Sequence, residues 1–429
     1  MTNQRGFILG FLLFSMHIGA VAELPQYSDE SHLGVASCAS SVCHGSVRPR
    51  SSTGILQNEY VVWSRLDRHK NAYSTLLSAE SKKIAHNLGL KNAHEADICL
   101  DCHADNVAVG KRGSRFQIED GIGCEACHGG AENYLTSHTD KGVSRDQNIS
   151  NGLYATDQIA KRAALCFSCH IGSEEKIASH EIMGAGHPRL SFELDTFGVL
   201  QPAHYVVDKK YSERKWAGSS LTTWALGQVE AGKQTLRLVE SKLAGRQLFP
   251  ELSLFDCHAC HHVMSEKKWR QQDRIRLPPG TVRLNDVGFL MLFPIAKVFA
   301  PTLQVGLHAD LRELHQRVNS GGDVKEVVMR LQKTLDSMTS SVSSNSADTA
   351  AQKVLDELVS MGASGQFQDY VAAEQAVMAI DMLLSTVGAR DDYDDWLDSL
   401  YDSVEEEDYY DPLFLAEVME RYLSGNSVL

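Results

Sequence analysis

Apolar positions recur with a helical period over much of the chain, and strand-like alternation of apolar and polar residues is scarce. Residues 219–245 open with serine and threonine, repeat apolar residues three and four apart and close on glycine, so they predict one amphipathic helix. Residues 287–299 are almost wholly apolar but contain a proline and a lysine. They are also shorter than the roughly 20 residues that span a bilayer, so they predict a buried helix. The pattern predicts a mainly α protein with extensive loops.

The C-terminal third keeps this helical pattern but contains two unusual segments. Residues 337–350 are rich in serine and predict a linker or a long loop. Residues 391–411 contain eleven acidic residues and no lysine or arginine, yet Trp396, Leu397 and Leu400 keep a helical spacing. We interpret the second segment as an acidic helix whose apolar face packs on the protein. A docking surface for a basic partner is the alternative.

The N-terminus predicts export. Residues 1–22 place one arginine before an apolar stretch over residues 7–18, followed by Ala20-Val21-Ala22. This pattern is typical of a secretory signal peptide that is cleaved before Glu23. An uncleaved membrane anchor is the alternative, although the apolar stretch is short for one. We therefore expect a periplasmic protein, with association at the outer surface as a further option and no membrane span in the mature chain.

Charge and cysteine content limit the possible partners and cofactors of the chain. The 429 residues carry 55 acidic and 41 basic side chains, a formal charge of −14, which argues against nucleic acid as a partner. Ten cysteines in an exported chain would normally suggest disulfides, but they form five pairs and a histidine follows each pair directly. Four pairs have the form Cys-x-x-Cys-His: Cys99, Cys102 and His103; Cys124, Cys127 and His128; Cys166, Cys169 and His170; Cys257, Cys260 and His261. The remaining pair has a longer spacer, in Cys38-Ala-Ser-Ser-Val-Cys43-His44.

This spacing is typical of covalent haem attachment. Two thiols one turn apart can add to the two vinyl groups of one haem, and the adjacent histidine then becomes the proximal iron ligand. Zinc sites also use cysteine and histidine, but zinc chemistry does not require a histidine directly after the second cysteine five times. The sequence predicts about five haem c groups per chain, with all ten cysteines as thioether residues. The predicted proximal ligands are His44, His103, His128, His170 and His261.

Each haem iron has a second axial position, and the chain has enough further histidines to fill all of them. The candidate distal ligands lie in segments near the motifs: His69, His138, His180, His187 and His204. Ligation by two histidines blocks small molecules and favours electron transfer. One haem with an open position would instead indicate a multihaem oxidoreductase that acts on a nitrogen or sulfur compound. We favour the electron carrier, and the sequence leaves catalysis open.

Three stretches resemble multihaem c-type cytochromes of the cytochrome c-554 family: the segment around His69, residues 120–130 (DGIGCEACHGG) and residues 184–195 (GAGHPRLSFELD). The resemblance spans roughly residues 34–265 and implies a periplasmic electron carrier. It also implies distal roles for His69 and His138. Two features depart from that family's four-haem pattern, the fifth haem motif and the four-residue spacer of the first motif.

These observations predict three parts: a signal peptide at residues 1–22, a pentahaem cytochrome c domain at 23–275 and an all-α C-terminal region at 276–429. The expected partners are redox proteins, either other cytochromes or a quinol-linked donor.

Overall fold

The computed structural model describes residues 24–50, 55–213, 215, 218–243, 250–257, 260–261, 277–278, 281–344 and 350–425. The predicted signal peptide at residues 1–22 lies outside these ranges. The described chain is mostly helical, and within it β pairing is limited to two isolated bridges, between His32 and Arg112 and between Phe255 and Leu284. The prediction of a mainly α fold with loops is confirmed.

The first half of the described chain consists of short helices joined by loops and single turns. Their bounds are α1 Glu59–Leu66, α2 Ala72–Thr75, α3 Ala79–Asn87, α4 Asp97–His103, α5 Cys124–His128, α6 Arg145–Ser150, α7 Ile159–His170, α8 His180–Gly184, α9 Leu194–Leu200 and α10 Lys209–Ser212. Helices α4, α5 and α7 each end on the histidine of a Cys-x-x-Cys-His motif. Helical geometry therefore separates the two thiols of each of these motifs by about one turn.

The second half is built from longer helices. Their bounds are α11 Ser220–Leu243, α12 Val287–Phe299, α13 Gln304–Ser320, α14 Lys325–Ser344, α15 Ala351–Ala363, α16 Tyr370–Val387, α17 Asp394–Asp402 and α18 Pro412–Leu423. The predicted helices at 219–245 and 287–299 are present as α11 and α12. Helix α11 is buried on nearly every side rather than amphipathic, because it packs against α7 and α9 as well as α12, α14 and α16.

One apolar core joins the two halves. Phe167 of α7, Leu194 of α9, Trp224 of α11, Leu290 of α12 and Leu335 of α14 belong to a single cluster of buried side chains. Helix α11 lies at its centre, with Trp224 completely buried. Packing therefore crosses the predicted domain boundary at residue 275, and the helices on its two sides share their hydrophobic stabilisation.

The serine-rich stretch differs from its prediction. Helix α14 continues to Ser344, through more than half of the predicted loop at residues 337–350. Met338 and Val342 are buried at helical spacing, which anchors this part of the helix in the core. Several serine hydroxyls, including that of Ser337, donate to backbone carbonyls three or four residues earlier and so remain compatible with a helix. Residues 345–349 lie outside the described ranges.

Two further helices bear on the sequence analysis. Within the described residues, α16 is long and apolar enough to cross a membrane by length and composition, but most of it is buried inside the fold, as in a core helix. Helix α17 covers residues 394–402 of the acidic stretch and buries Trp396, Leu397 and Leu400. The indole Nε1–H of Trp396 donates to the carbonyl of Val418 at 2.7 Å. These contacts agree with the interpretation of an acidic helix packed on the protein.

Candidate functional site

Each predicted proximal histidine faces one predicted distal histidine. None of the ten cysteines forms a disulfide, so all of the thiols remain available. The five imidazole pairs, with the distances between ring centroids, are His44 and His138 at 6.2 Å, His103 and His187 at 6.3 Å, His128 and His204 at 6.1 Å, His170 and His69 at 6.2 Å, and His261 and His180 at 6.1 Å. No histidine is shared between pairs, and none of the ten predicted ligands is left over.

The common distance has a chemical meaning. A bond from a metal to an imidazole nitrogen is about 2.0–2.1 Å, and the ring centre lies about 1.1 Å behind that nitrogen, so two rings on opposite faces of one metal have centroids about 6.3 Å apart. The five observed distances, 6.1–6.3 Å, all match this spacing. Among the described residues, no group of three or more histidine, cysteine or acidic side chains converges as a zinc site would require. The donors therefore fit six-coordinate haem iron.

The pairs differ in the angle between their ring planes. The planes are closest to parallel for His44 and His138, at 15°, and are tilted by 35° for His180 and His261. In the other three pairs the planes are nearly perpendicular, at 82–88°. The five sites are alike in their donors and different in the mutual orientation of those donors.

Hydrogen bonds at Nδ1 orient several of the predicted ligand rings. The Nδ1–H of His44 donates to the Glu59 carboxylate at 2.9 Å, and that of His69 donates to Asp67 at 2.9 Å. Backbone carbonyls accept from three other predicted ligand rings: His103 to Ala72 at 3.1 Å, His138 to Tyr134 at 3.0 Å and His187 to Pro188 at 2.8 Å. A proton held on Nδ1 leaves Nε2 free to bind metal, which is the usual arrangement around a ligating histidine.

These imidazole rings differ in their pKa values because their surroundings differ. The hydrogen bond to Glu59 raises the pKa of His44, and the hydrogen bond to Asp67 raises the pKa of His69. Burial and the neighbouring His204 ring lower the pKa of His128 to about 4. The third motif therefore presents a neutral imidazole at physiological pH, which is the form that binds a metal.

Close contacts between segments show which motifs are neighbours. A Cβ at Gly123, directly before Cys124, would lie 2.7 Å from the Val35 side chain, three residues before Cys38, so the first motif lies against the third. The Cys169 thiol lies 4.0 Å from the carbonyl oxygen of Asp101, inside the second motif, so the second motif is next to the fourth. The sites are therefore grouped as first with third and second with fourth, although the second and third motifs are closer in sequence.

A buried carboxylate fixes the first of these groupings. Glu125, inside the third motif, accepts hydrogen bonds from the backbone N–H groups of Leu33 at 2.7 Å, Gly34 at 2.6 Å and Ala131 at 2.8 Å. It thereby holds the segment before the first motif against the third. Sequence reasoning missed this role, and also the roles of Glu59 and Asp67. The available signals were a glutamate within a motif spacer and an aspartate two residues before His69.

Gly129 closes α5 directly after His128. Its φ is +84°, and a Cβ there would lie 2.1 Å from the carbonyl oxygen of Gly152, so only glycine fits this close approach.

The fifth motif is tied to the C-terminal helices. Asp256, directly before Cys257, pairs with the buried guanidinium of Arg283, which also pairs with Asp286 and with Asp369 at the start of α16. Arg189, two residues after His187, pairs with Glu407 of the acidic stretch at 3.3 Å. Ion pairs therefore connect the C-terminal region both to the fifth motif and to the loop that carries His187.

Comparison with known proteins agrees with this site. The family model described as "Cytochrome c554 and c-prime" matches residues 37–129, which include the first three haem motifs and His69. Searches of the curated proteins and of the solved structures found no significant match. With its covalent haem attachment motifs, the chain is an electron-transfer cytochrome of the c type that resembles the cytochrome c554 family.

Proposed function

We propose that this chain is a periplasmic cytochrome that carries electrons through five covalently bound haems, each held by two histidines. The observation that carries the proposal is the one-to-one pairing of the five motif histidines with five distal histidines at the spacing of a bis-histidine site. A chance arrangement of spare histidines would not leave every pair complete and unshared.

The haem groups would supply reversible one-electron chemistry at iron. The protein's part is to attach them, fix their axial ligands and close the irons to small molecules. The ten motif cysteines would form the thioether bonds, and the adjacent histidines would bind from one side. The distal histidines His69, His138, His180, His187 and His204 would occupy the other side, so electrons would have to pass between haems and partner proteins without substrate binding at iron.

The grouping of the sites supports a relay. Because the first motif lies against the third and the second lies against the fourth, haems attached there would be close neighbours, as stepwise electron transfer requires. The predicted signal peptide supports a periplasmic location, and so does the typically periplasmic location of cytochrome c554 proteins. The partners would be other cytochromes or a quinol-linked donor.

One observation favours a second candidate, a multihaem oxidoreductase acting on a nitrogen or sulfur compound. The pair of His180 and His261 is the only one of the five in which both histidines are exposed. Release of His180 would open an iron position at the fifth site, next to solvent. The other four pairs each include at least one ligand that is partly shielded.

Three measurements on the mature protein test the proposal. Intact mass should exceed the mass of the processed polypeptide by five haems, and the oxidised and reduced spectra should be entirely low-spin. The reduced protein should bind no carbon monoxide. Fewer than five haems would overturn the count, whereas one high-spin haem that binds carbon monoxide would overturn the simple carrier in favour of the oxidoreductase. Replacement of His308, which stacks on Phe293 and is not among the ten predicted ligands, provides a control that should leave all three results unchanged.

A further inference from the structure

The five haem sites differ in what accepts the Nδ1 proton of their ligands. A carboxylate is the acceptor in two of them, Glu59 at the first site and Asp67 at the fourth. At the second site both acceptors are backbone carbonyls. At the third site, within the part of the chain that the structure describes, no carboxylate lies within ion-pair distance of either ligand ring.

Both carboxylates are held in place by more than the histidine. Glu59 also accepts from the backbone N–H of Gln57 at 3.0 Å, and it lies in the first turn of α1. Asp67 is buried and also accepts from the backbone N–H of His69 at 3.0 Å and from the side-chain amide of Gln201 at 3.1 Å. Their orientation toward the imidazoles is therefore built into the fold.

A carboxylate that accepts the Nδ1–H hydrogen bond changes the electron density of the imidazole ligand. It makes the imidazole a stronger electron donor through Nε2, and it favours the more positive, ferric state of the iron over the ferrous state. A neutral carbonyl has the same effect to a smaller degree. Sites with a carboxylate acceptor should therefore have lower reduction potentials than sites without one.

The position of the two carboxylates follows the grouping of the motifs. The first motif lies against the third, and the second lies against the fourth. Each group thus joins one site that has a carboxylate to one that does not.

We propose that Glu59 and Asp67 are positioning residues that lower the potentials of the first and fourth haems, so that each adjacent haem pair combines a low-potential member with a higher-potential one. This inference rests on the proposed haem-carrying function. Its consequence is that the first electron to enter each pair would settle on the third or the second haem.

The test uses the variants Glu59→Gln and Asp67→Asn in the full-length haem-loaded protein. Each amide keeps an oxygen acceptor of the same shape and removes only the charge. Outer-shell partners of metal ligands typically change affinity by 10–100-fold, and a tenfold loss of preference for ferric iron is 59 mV for a one-electron couple. We expect the lowest potentials in a redox titration to rise by at least about this amount, one haem per variant. Glu95→Gln removes an exposed carboxylate beside His94, which is not among the ten ligands, and should leave all potentials unchanged.

The two variants are also distinguishable by spectroscopy. The Glu59 site has nearly parallel ligand rings and the Asp67 site has perpendicular ones, so each variant should shift a different class of low-spin signal. Unchanged potentials in both variants, with five low-spin haems still present, would overturn the inference and leave the proposed function intact. Absence of bis-histidine haems from the parent protein would instead overturn the proposed function.

Discussion

Removal of the His187 imidazole is the sharpest test of the ligand assignment. This ring lies 6.3 Å from His103, and its Nδ1–H donates to the carbonyl of the adjacent Pro188 at 2.8 Å. It lies in the loop after α8, and no hydrogen bond joins its side chain to another helix among the described contacts. The variant His187→Ala should therefore open one iron position at little cost to the fold.

The magnitude follows from the number of pairs. One site in five should lose its second ligand, so one fifth of the low-spin intensity should become high-spin. The reduced variant should bind one carbon monoxide per chain, whereas the parent should bind none. Absorption and magnetic circular dichroism measure the spin states, and a gas titration measures the stoichiometry.

The matched control is His308→Ala, because His308 stacks on Phe293 with ring centroids 3.9 Å apart and is not among the ten predicted ligands. If His187→Ala remained fully low-spin and took up no carbon monoxide, the pairing read from the ring distances would be wrong. An equal uptake by the control would show instead that any loss of a histidine loosens the haem sites.

Three further predictions concern spectra and stability. Electron paramagnetic resonance of the oxidised protein should divide the haems two to three, because two ligand pairs have ring planes 15° and 35° apart and three have planes at 82–88°; a single class of signal would contradict these orientations. Arg283→Met should lower the free energy of unfolding by about 3–5 kcal/mol in denaturant titrations, because it leaves the buried Asp286 and Asp369 without this cation, while the haem count stays the same; an unchanged midpoint would refute the role of this cluster. Burial, with Glu193 nearby, raises the pKa of Asp195 from 3.8 to about 7, so the folded state holds this proton more tightly than the unfolded state does. The stabilisation from this group should be complete below about pH 4 and lost as the pH rises to about 7, by at most about 4 kcal/mol. In thermal unfolding across this range, Asp195→Asn should become progressively more stable relative to the parent, and a constant difference would contradict the shift.

The sequence predicted the attachment chemistry and the ligand types because both depend on local spacing. A Cys-x-x-Cys-His run needs only one helical turn to place its thiols and its histidine, as at the end of α4 and α7. The structure brings the five candidate distal histidines to the five motif histidines, although their assignment as iron ligands stays a prediction. Which histidine pairs with which could not be read from the sequence. His69 follows the first motif but faces His170 of the fourth, and only tertiary packing brings those two rings together.

The carboxylates show a second limit of sequence reasoning. Glu59, Asp67 and Glu125 are ordinary acidic residues in the sequence, and their roles arise from what lies opposite them in the fold. In the serine-rich stretch, the predicted loop followed the composition, whereas the structure follows the helical period of the apolar residues. Buried Met338 and Val342 extend α14 through a segment whose serines alone suggested a loop.

The shared core around α11 bears on how such a protein can change over evolutionary time. Trp224, Leu236 and Val239 are completely buried between the half with the haem motifs and the C-terminal helices, so neither half can be exchanged without exposing them. A haem array on a detachable module could be gained or lost by recombination. Here substitutions on α12 or α14 would change the packing of α11, and through α11 the packing of the haem motif on α7. The chain should therefore unfold as one cooperative unit, and its two halves should evolve together.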